Sequence, residues 1–179
     1  RYAGHVVGLL KEGAEAAGRV ARGAEDRLRL GAVLTAGEHL LPTLIQGFRE
    51  HRPDLQLDLI VANRREVFRL LAAHEVDLVV SGRAPDEGDF DAVPFAPNEF
   101  ALVTAPDDPL TKRSAVAREE LAERPWLVRE QGSGTRRLTD EYLAAQQIEP
   151  SLLTLGSNGA IKNAARIGLG VALQSQVAV

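Results

Sequence analysis

Hydrophobic and polar positions divide the chain into two unlike parts. Over Arg1 to Arg29, the residues Ala3, Val7, Leu10, Ala14, Ala17, Ala21, Ala24 and Leu28 step by four and three in alternation, the spacing of a heptad seam on a helix. The seam is made mostly of small residues. Gly8, Gly13, Gly18 and Gly23 each cost about 1 kcal/mol against Ala, so such a helix needs a partner. It could pack on its own domain or against a second copy of itself; Ala and Gly allow close backbone approach, which favours dimerisation.

From Leu28 onward the pattern becomes strands alternating with helices. Leu28–Val33 reads as a strand and Leu34–His39 as a turn. A helix is expected from about Leu40 to Glu50, with Leu41, Leu44, Ile45 and Phe48 as its apolar face and Pro42 in its first turn. His51-Arg52-Pro53-Asp54 ends it. Leu55, Leu57, Leu59 and Val61 alternate as a second strand, Val67, Leu70 and Leu71 mark a second helix, and Val76–Val80 is a third, buried strand. Strand, helix, strand, helix, strand with short connections predicts parallel strands and right-handed crossovers, an α/β lobe.

Short strands are expected at Ala92–Phe95 and Glu99–Thr104, and Ala105–Leu110 reads as an exit loop. A second, shorter lobe follows. It has a strand at Trp126–Val128 and a helix from Thr135 to Gln146 with Leu138, Tyr142 and Leu143 on one face. A strand at Leu152–Leu155, a helix from Asn158 to Ile167, a strand at Val171–Leu173 and a final helix beginning at Ser175 complete it. The expected organisation is a helix over 1–27, one lobe over 28–105 and a second over 106–179.

Composition narrows the class. At 179 residues with 45% apolar residues the chain has ample material for a core, and it reads as soluble and globular. No apolar run approaches the roughly 20 residues of a membrane helix, and no secretory pattern opens the chain. The absence of cysteine fits a reducing cytoplasm. A net charge of −4 argues against a large basic footprint for nucleic acid on this stretch. With no methionine either, the chain is expected to be a piece of a longer one.

In sheets of this kind a ligand lies beyond the carboxyl ends of the strands. Those ends carry Thr35 and Ala36, then Asn63 and Arg64, then Ser81, Gly82 and Arg83. In the second lobe the strand at Trp126 runs into Gly132-Ser133-Gly134-Thr135, which opens a helix. The first turn of a helix leaves backbone N–H groups without partners and carries partial positive charge, so this turn suits an anion. It suits a plain helix cap as well, with Ser133 or Thr135 as the capping hydroxyl.

Arg64, Arg83 or Arg136 could pair with a phosphate or carboxylate. The bland alternatives are a solvated Arg64, an Arg136 that braces Glu130 or Asp140, and an Asn158 that caps its helix. His39, beside Glu38, reads as an ordinary surface histidine. The four histidines are scattered and no carboxylate spacing suggests a metal site, so neither metal nor cofactor is expected.

Four motifs in order, Asn63-Arg64-Arg65-Glu66-Val67, Val80-Ser81-Gly82-Arg83-Ala84-Pro85, Arg129-Glu130-Gln131-Gly132-Ser133-Gly134-Thr135-Arg136 and Gly156-Ser157-Asn158-Gly159-Ala160-Ile161-Lys162 with Gly168-Leu169-Gly170, carry a family resemblance. Essentially the whole chain resembles the effector-binding part of LysR-type transcriptional regulators, nearest to the branch that regulates Calvin-cycle (RuBisCO) operons. The resemblance implies two Rossmann-like lobes of the periplasmic-binding-protein type II kind behind a long dimerising linker helix. An N-terminal winged helix-turn-helix and a C-terminal return to the first lobe would lie outside this sequence.

It further implies an effector site drawn from Thr35, Ala36, Asn63, Ser81, Gly82 and Arg83 in the first lobe and Glu130, Ser133, Gly134, Thr135 and Asn158 in the second. Gly159 departs from that branch, which usually has an acidic residue there. The implied partners are a small anionic metabolite between the lobes, further copies in a homodimer or tetramer, and promoter DNA through the winged helix-turn-helix, with no membrane. Ligand-biased closure would re-space the DNA-binding domains. Two rival readings use the same scaffold: a dehydratase of the prephenate type and a periplasmic solute-binding protein. The first needs a converging acid and base, and Glu130 is the sole obvious carboxylate. The second has no use for the heptad helix.

Overall fold

The computed structural model describes residues 27–86, 88 and 90–179, so the heptad segment up to Asp26 lies outside the described residues. Leu28, shared between seam and strand in the sequence pattern, lies in a strand. The chain divides into two compact units, Arg1–Phe90 and Asp91–Val179.

In the first unit β1 (Arg27–Val33) runs between β2 (Gln56–Ala62) and β3 (Leu78–Val80), parallel to both, as the alternation of strands and helices predicts. The connecting helices are α1 (Leu34–His39), α2 (Leu41–His51) and α3 (Arg64–Ala72). Ala32 of β1, Ala36 of α1 and Leu41 of α2 form a buried cluster, while Val67 and Leu70 are the buried residues of α3. At Gly31 of β1 a Cβ would come within 3.1 Å of Val79, 3.4 Å of Val76 and 3.7 Å of Val67, so strand and helix pack closely there.

Three expectations for this unit need correction. Leu34–His39 is a helix rather than a turn. Gly37 looks like a breaker, yet its role is steric: a Cβ there would stand 2.6 Å from Val61 Cγ2, so only glycine lets α1 lie on β2. The expected apolar face of α2 is only partly used, since Leu41 is buried but Leu44 and Phe48 are 49% and 41% exposed. The third strand is shorter than Val76–Val80, and its first residue Leu78 is exposed rather than buried, while Val76 is buried just ahead of it.

The second unit contains β4 (Phe100–Val103), α4 (Arg118–Ala122), β5 (Trp126–Arg129), α5 (Gly134–Gln146), β6 (Leu152–Leu155), α6 (Asn158–Arg166) and β7 (Ala172–Ser175). β5 and β6 pair in parallel, Trp126 bridges to Val171 just before β7, and β7 pairs antiparallel with β4. The pleat of β5 sorts its side chains. Trp126 and Val128 enter a cluster with Leu110, Leu121, Leu143, Ile148, Val171 and Leu173, whereas Leu127 joins Ile161, Ala164, Ala165 and Ala172. The Trp126 indole stacks obliquely on Tyr142, 5.8 Å between ring centres, and donates its N–H to Leu121 O at 3.0 Å.

α6 ends as a helix ends on glycine. Gly168 has φ +80°, its N–H donates to Ala165 O at 2.9 Å, and Leu169 N–H donates to Ala164 O at 3.1 Å. In the loop after β4, Asp108 caps a 3₁₀ turn (Pro109–Lys112) by accepting from Leu110 N–H at 2.9 Å, and it also takes the Thr104 hydroxyl at 2.9 Å and the Arg124 guanidinium.

Residues 92–95 do not form the expected strand; Val93 and Phe95 are exposed, and Pro94 and Pro97 remove the N–H donors a ladder would use. Ser175 ends β7 instead of opening a helix, and only a 3₁₀ turn (Gln176–Ala178) follows. No helix among the described residues is long and apolar enough to cross a membrane.

Candidate functional site

The chemistry of the second unit gathers at the carboxyl end of β5. Gly132, with φ +93°, turns the chain so that Ser133 caps α5. The Ser133 hydroxyl accepts from Arg136 N–H at 3.5 Å and its carbonyl accepts from Arg137 N–H at 3.2 Å. The N–H groups of Gly134 and Thr135 lie ahead of the first ladder bond, on the positive end of a 13-residue helix. Ser133 is therefore the cap, one of the two readings of this turn, and Gly134 and Thr135 carry the leading N–H groups of the helix.

Asn158 is the first residue of α6, but it is not the cap. Ser157 holds that place, accepting from Ala160 N–H at 3.1 Å. Asn158 is instead 2% exposed, and its Oδ1 accepts from Arg129 Nη1 at 2.8 Å. Arg129, 3% exposed, also forks onto Glu130, with Nε 2.7 Å from Oε2 and Nη2 2.9 Å from Oε1. Arg136 donates to the Arg129 carbonyl at 3.1 Å and to Asp140 at 2.8 Å, so it braces Asp140 as expected and the backbone of β5 besides.

Glu130, Ser133, Gly134, Thr135 and Asn158 are thus neighbours around one strand end. Arg129 belongs with them and the motif reading passed over it. The signal was present: a charged residue directly follows Trp126-Leu127-Val128 in a strand buried throughout.

In the first unit the expected residues sit at the carboxyl ends of β1, β2 and β3. Ala36 is buried in α1 and Thr35 half-buried beside it. Asn63 caps α3, its side chain accepting from Glu66 N–H at 3.1 Å. Arg64 lies over the Phe68 ring at 5.4 Å and donates to Arg83 O at 3.3 and 3.2 Å, which ties the loop after β3 to the start of α3. The Arg83 side chain, 74% exposed, pairs with Asp86 at 2.8 Å. Gly82 is exposed, with open space where a Cβ would lie. Ser81 Oγ is buried and has no hydrogen-bond partner among the described residues. His39 is an exposed residue 3.8 Å from Glu38. Among the described residues no group of three or more His, Cys, Asp or Glu could hold a metal ion.

Comparison with known proteins decides the family. The family model described as the LysR substrate binding domain matches residues 21–179. This chain is a member of the LysR substrate-binding-domain family. The HTH-type transcriptional regulator CbbR of Rhizobium meliloti is 35% identical over 151 residues, which cover 83% of the chain and 48% of the relative. The HTH-type transcriptional activator CmpR of Synechocystis is 32% identical over 152 residues, 84% of the chain and 50% of the relative. The regulatory domain of CcmR from Synechocystis PCC6803, solved in complex with 2-PG, superimposes with a TM-score of 0.80 at 31% identity, covering 85% of this chain and 73% of that one.

The chain therefore spans about half the length of the curated relatives it matches. The motif resemblance holds at the level of family, and the relatives' names are those of the carbon-fixation branch to which the motifs pointed. The LysR fold, two α/β units of the periplasmic-binding-protein type II kind, holds as well. The relatives are named as regulators, which lends nothing to the dehydratase or solute-binding readings.

Proposed function

We propose that this LysR domain senses a small anionic metabolite and passes its presence on to promoter DNA. The observation that carries the proposal is that α5 and α6 begin after the carboxyl ends of the neighbouring parallel strands β5 and β6, with Arg129 at the end of β5 held to Asn158 at the head of α6. The CcmR neighbour, solved with 2-PG, supports a phosphorylated or carboxylate ligand. In this reading Glu130, Ser133, Gly134, Thr135 and Asn158 form the effector-contacting set of the second unit. Thr35, Ala36, Asn63, Ser81, Gly82 and Arg83 form that of the first, and the unpartnered Ser81 hydroxyl is a donor with a use there.

A ligand that prefers one arrangement of the protein shifts it toward that arrangement by its differential affinity. We further propose that copies associate as a homodimer or tetramer, which the apolar Leu44 and Phe48 of α2 and Ile60 and Val61 of the edge strand β2 support by their exposure. DNA would be met by a helix-turn-helix outside this sequence, in the cytoplasm, and no reaction would be catalysed. The HTH-type names of the relatives support that division of labour.

The test is thermal stability against 2-PG, sugar phosphates, nucleotides and dicarboxylates, repeated with Thr135→Ala. A ligand at 100 times its Kd adds about 2.7 kcal/mol, and the substitution should lower that gain. No shift with any anion would overturn the effector reading.

A further inference from the structure

Gln174, the third residue of β7, is 1% exposed, and its Nε2–H₂ donates to the Leu173 carbonyl at 3.0 Å. A carbonyl only accepts, so the end of the amide that meets Leu173 must be the nitrogen. The other end, Oε1, is buried and has no hydrogen-bond partner among the described residues. Burying an acceptor unsatisfied opposes folding, and a leucine or methionine would fill the same place without that penalty. The arrangement calls for a donor.

The pleat of β7 says from which side one can come. Leu173 enters the cluster around Trp126, whereas Ala172 packs with Ile161, Ala164 and Ala165 of α6. Gln174, two residues on from Ala172, stands on the α6 face. From α6 a long donor extends toward that end of β7: Lys162, whose Nζ donates to the carbonyl of Ala178 in the 3₁₀ turn Gln176–Ala178. An ammonium on a flexible four-carbon stem has three donors and re-aims readily, and Ala178 O takes one of them. At its start the turn is anchored by Gln176 N–H, which donates to Glu99 O at 2.9 Å. At its end Ala178, 1% exposed, is tied to α6 through the lysine.

We propose that Lys162 is a latch with two acceptors. In the structure it holds Ala178 O and leaves Gln174 Oε1 unsatisfied. In a second, less populated state the ammonium turns to Oε1, and the end of the 3₁₀ turn is let go. Each state satisfies the acceptor that the other gives up: the buried amide gains its donor as the Ala178 carbonyl passes to solvent. Lys162 lies one helical turn from Asn158 on the same side of α6, so a displacement of that helix head is felt at the latch. The latch stands independently of the effector reading.

Hydrogen exchange of the amides of residues 176–179 in the whole chain, with those of β5 as internal reference, reads the latch. Gln174→Leu removes the second acceptor and should slow that exchange by about threefold or more, while Lys162→Met removes the donor from both states and should speed it by a similar factor. The two together decide. If Gln174 acts through the lysine, Q174L should change nothing further in the K162M background, as for residues that form one unit. Gln174→Met, which keeps an unbranched stem, repeats the measurement where a branched side chain disturbs the strand.

Unchanged exchange of residues 176–179 in both Q174L and Q174M, or an equal slowing with and without Lys162, would overturn the latch and leave Gln174 a local defect of β7.

Discussion

A Cβ placed on Gly170 would stand 2.3 Å from the carbonyl oxygen of Pro125, the same oxygen that accepts from Val171 N–H at 2.9 Å. The segment entering β7 therefore lies directly against the residue before β5, with no room for a side chain. Gly170→Ala must push these backbones apart and disturb the pairing at Trp126. It is expected to cost about 2 kcal/mol, within the usual range for overpacking, as read by urea unfolding. Gly156→Ala, where a Cβ would meet nothing within 4 Å, is the control and should stay within about 0.5 kcal/mol.

The two hydroxyls of the β5–α5 turn should separate in their effects. Ser133→Ala removes the cap on Arg136 N–H and is expected to lower stability by about 1 kcal/mol. Thr135→Ala should change stability by less than about 0.5 kcal/mol while weakening anion binding. Chemical denaturation with and without 2-PG measures both. Equal stability losses would place Thr135 in the structural role assigned to Ser133.

Asp108 should leave a mark on acid unfolding. Its carboxylate is 11% exposed and held below its ordinary value of 3.8, first by the Leu110 N–H and then by Arg124, with Thr104 adding to them. A depressed carboxylate stabilises the fold above its unfolded value, and that contribution disappears as pH falls from about 3.8 through the depressed value. Asp108→Asn should be less stable near neutrality and should lose stability less steeply below that point. Stability curves over this acid range, with the two proteins side by side, decide it; parallel curves would exclude the assignment.

Gly159 sits in the first turn of α6 with only Ser157 Oγ near a would-be Cβ, at 4.0 Å. Gly159→Glu should therefore raise stability by roughly 1 kcal/mol, from the lost freedom of glycine and the helix dipole acting together. The same charge beside Asn158 should reduce affinity for 2-PG. A calorimetric titration that found tighter binding would place the anion elsewhere.

Much of the fold could be read from the spacing of apolar residues: alternation over Leu55–Val61 marks a strand, although Val61 at its end is exposed, and the helical period around Val67 and Leu70 reflects burial directly. The failures came where a residue had a second meaning. Gly37 signals a turn by propensity, but it is glycine because Val61 presses on it. Leu44 and Phe48 mark an apolar face that this unit by itself leaves partly exposed. Val93 and Phe95 suit a strand until the prolines beside them are counted. At the site, the Gly132–Thr135 turn was legible because glycine and hydroxyl residues before a helix have few other uses. Ser157 against Asn158 was not, since either residue caps well and only the position of Arg129 settles which one does. Arg129 itself was hidden by its type, since arginine usually means surface.

The pairing of β4 with β7 bears on how the second unit comes into being during synthesis. Asn98 and Ser175, bonded side chain to side chain beside that pairing, are 77 positions apart, whereas Arg27 and Asp58 in the first unit are 31 apart. Closing a longer loop costs more chain entropy and delays the contacts that repay it. On the ribosome the first unit's central parallel pair can assemble while the second unit is still being made. β4 must wait, with Leu102 and the exposed Val93 and Phe95 nearby, until the chain through Ser175 has emerged. Between those two moments the apolar residues of β4 and of the segment before it lie open to chaperones and to aggregation.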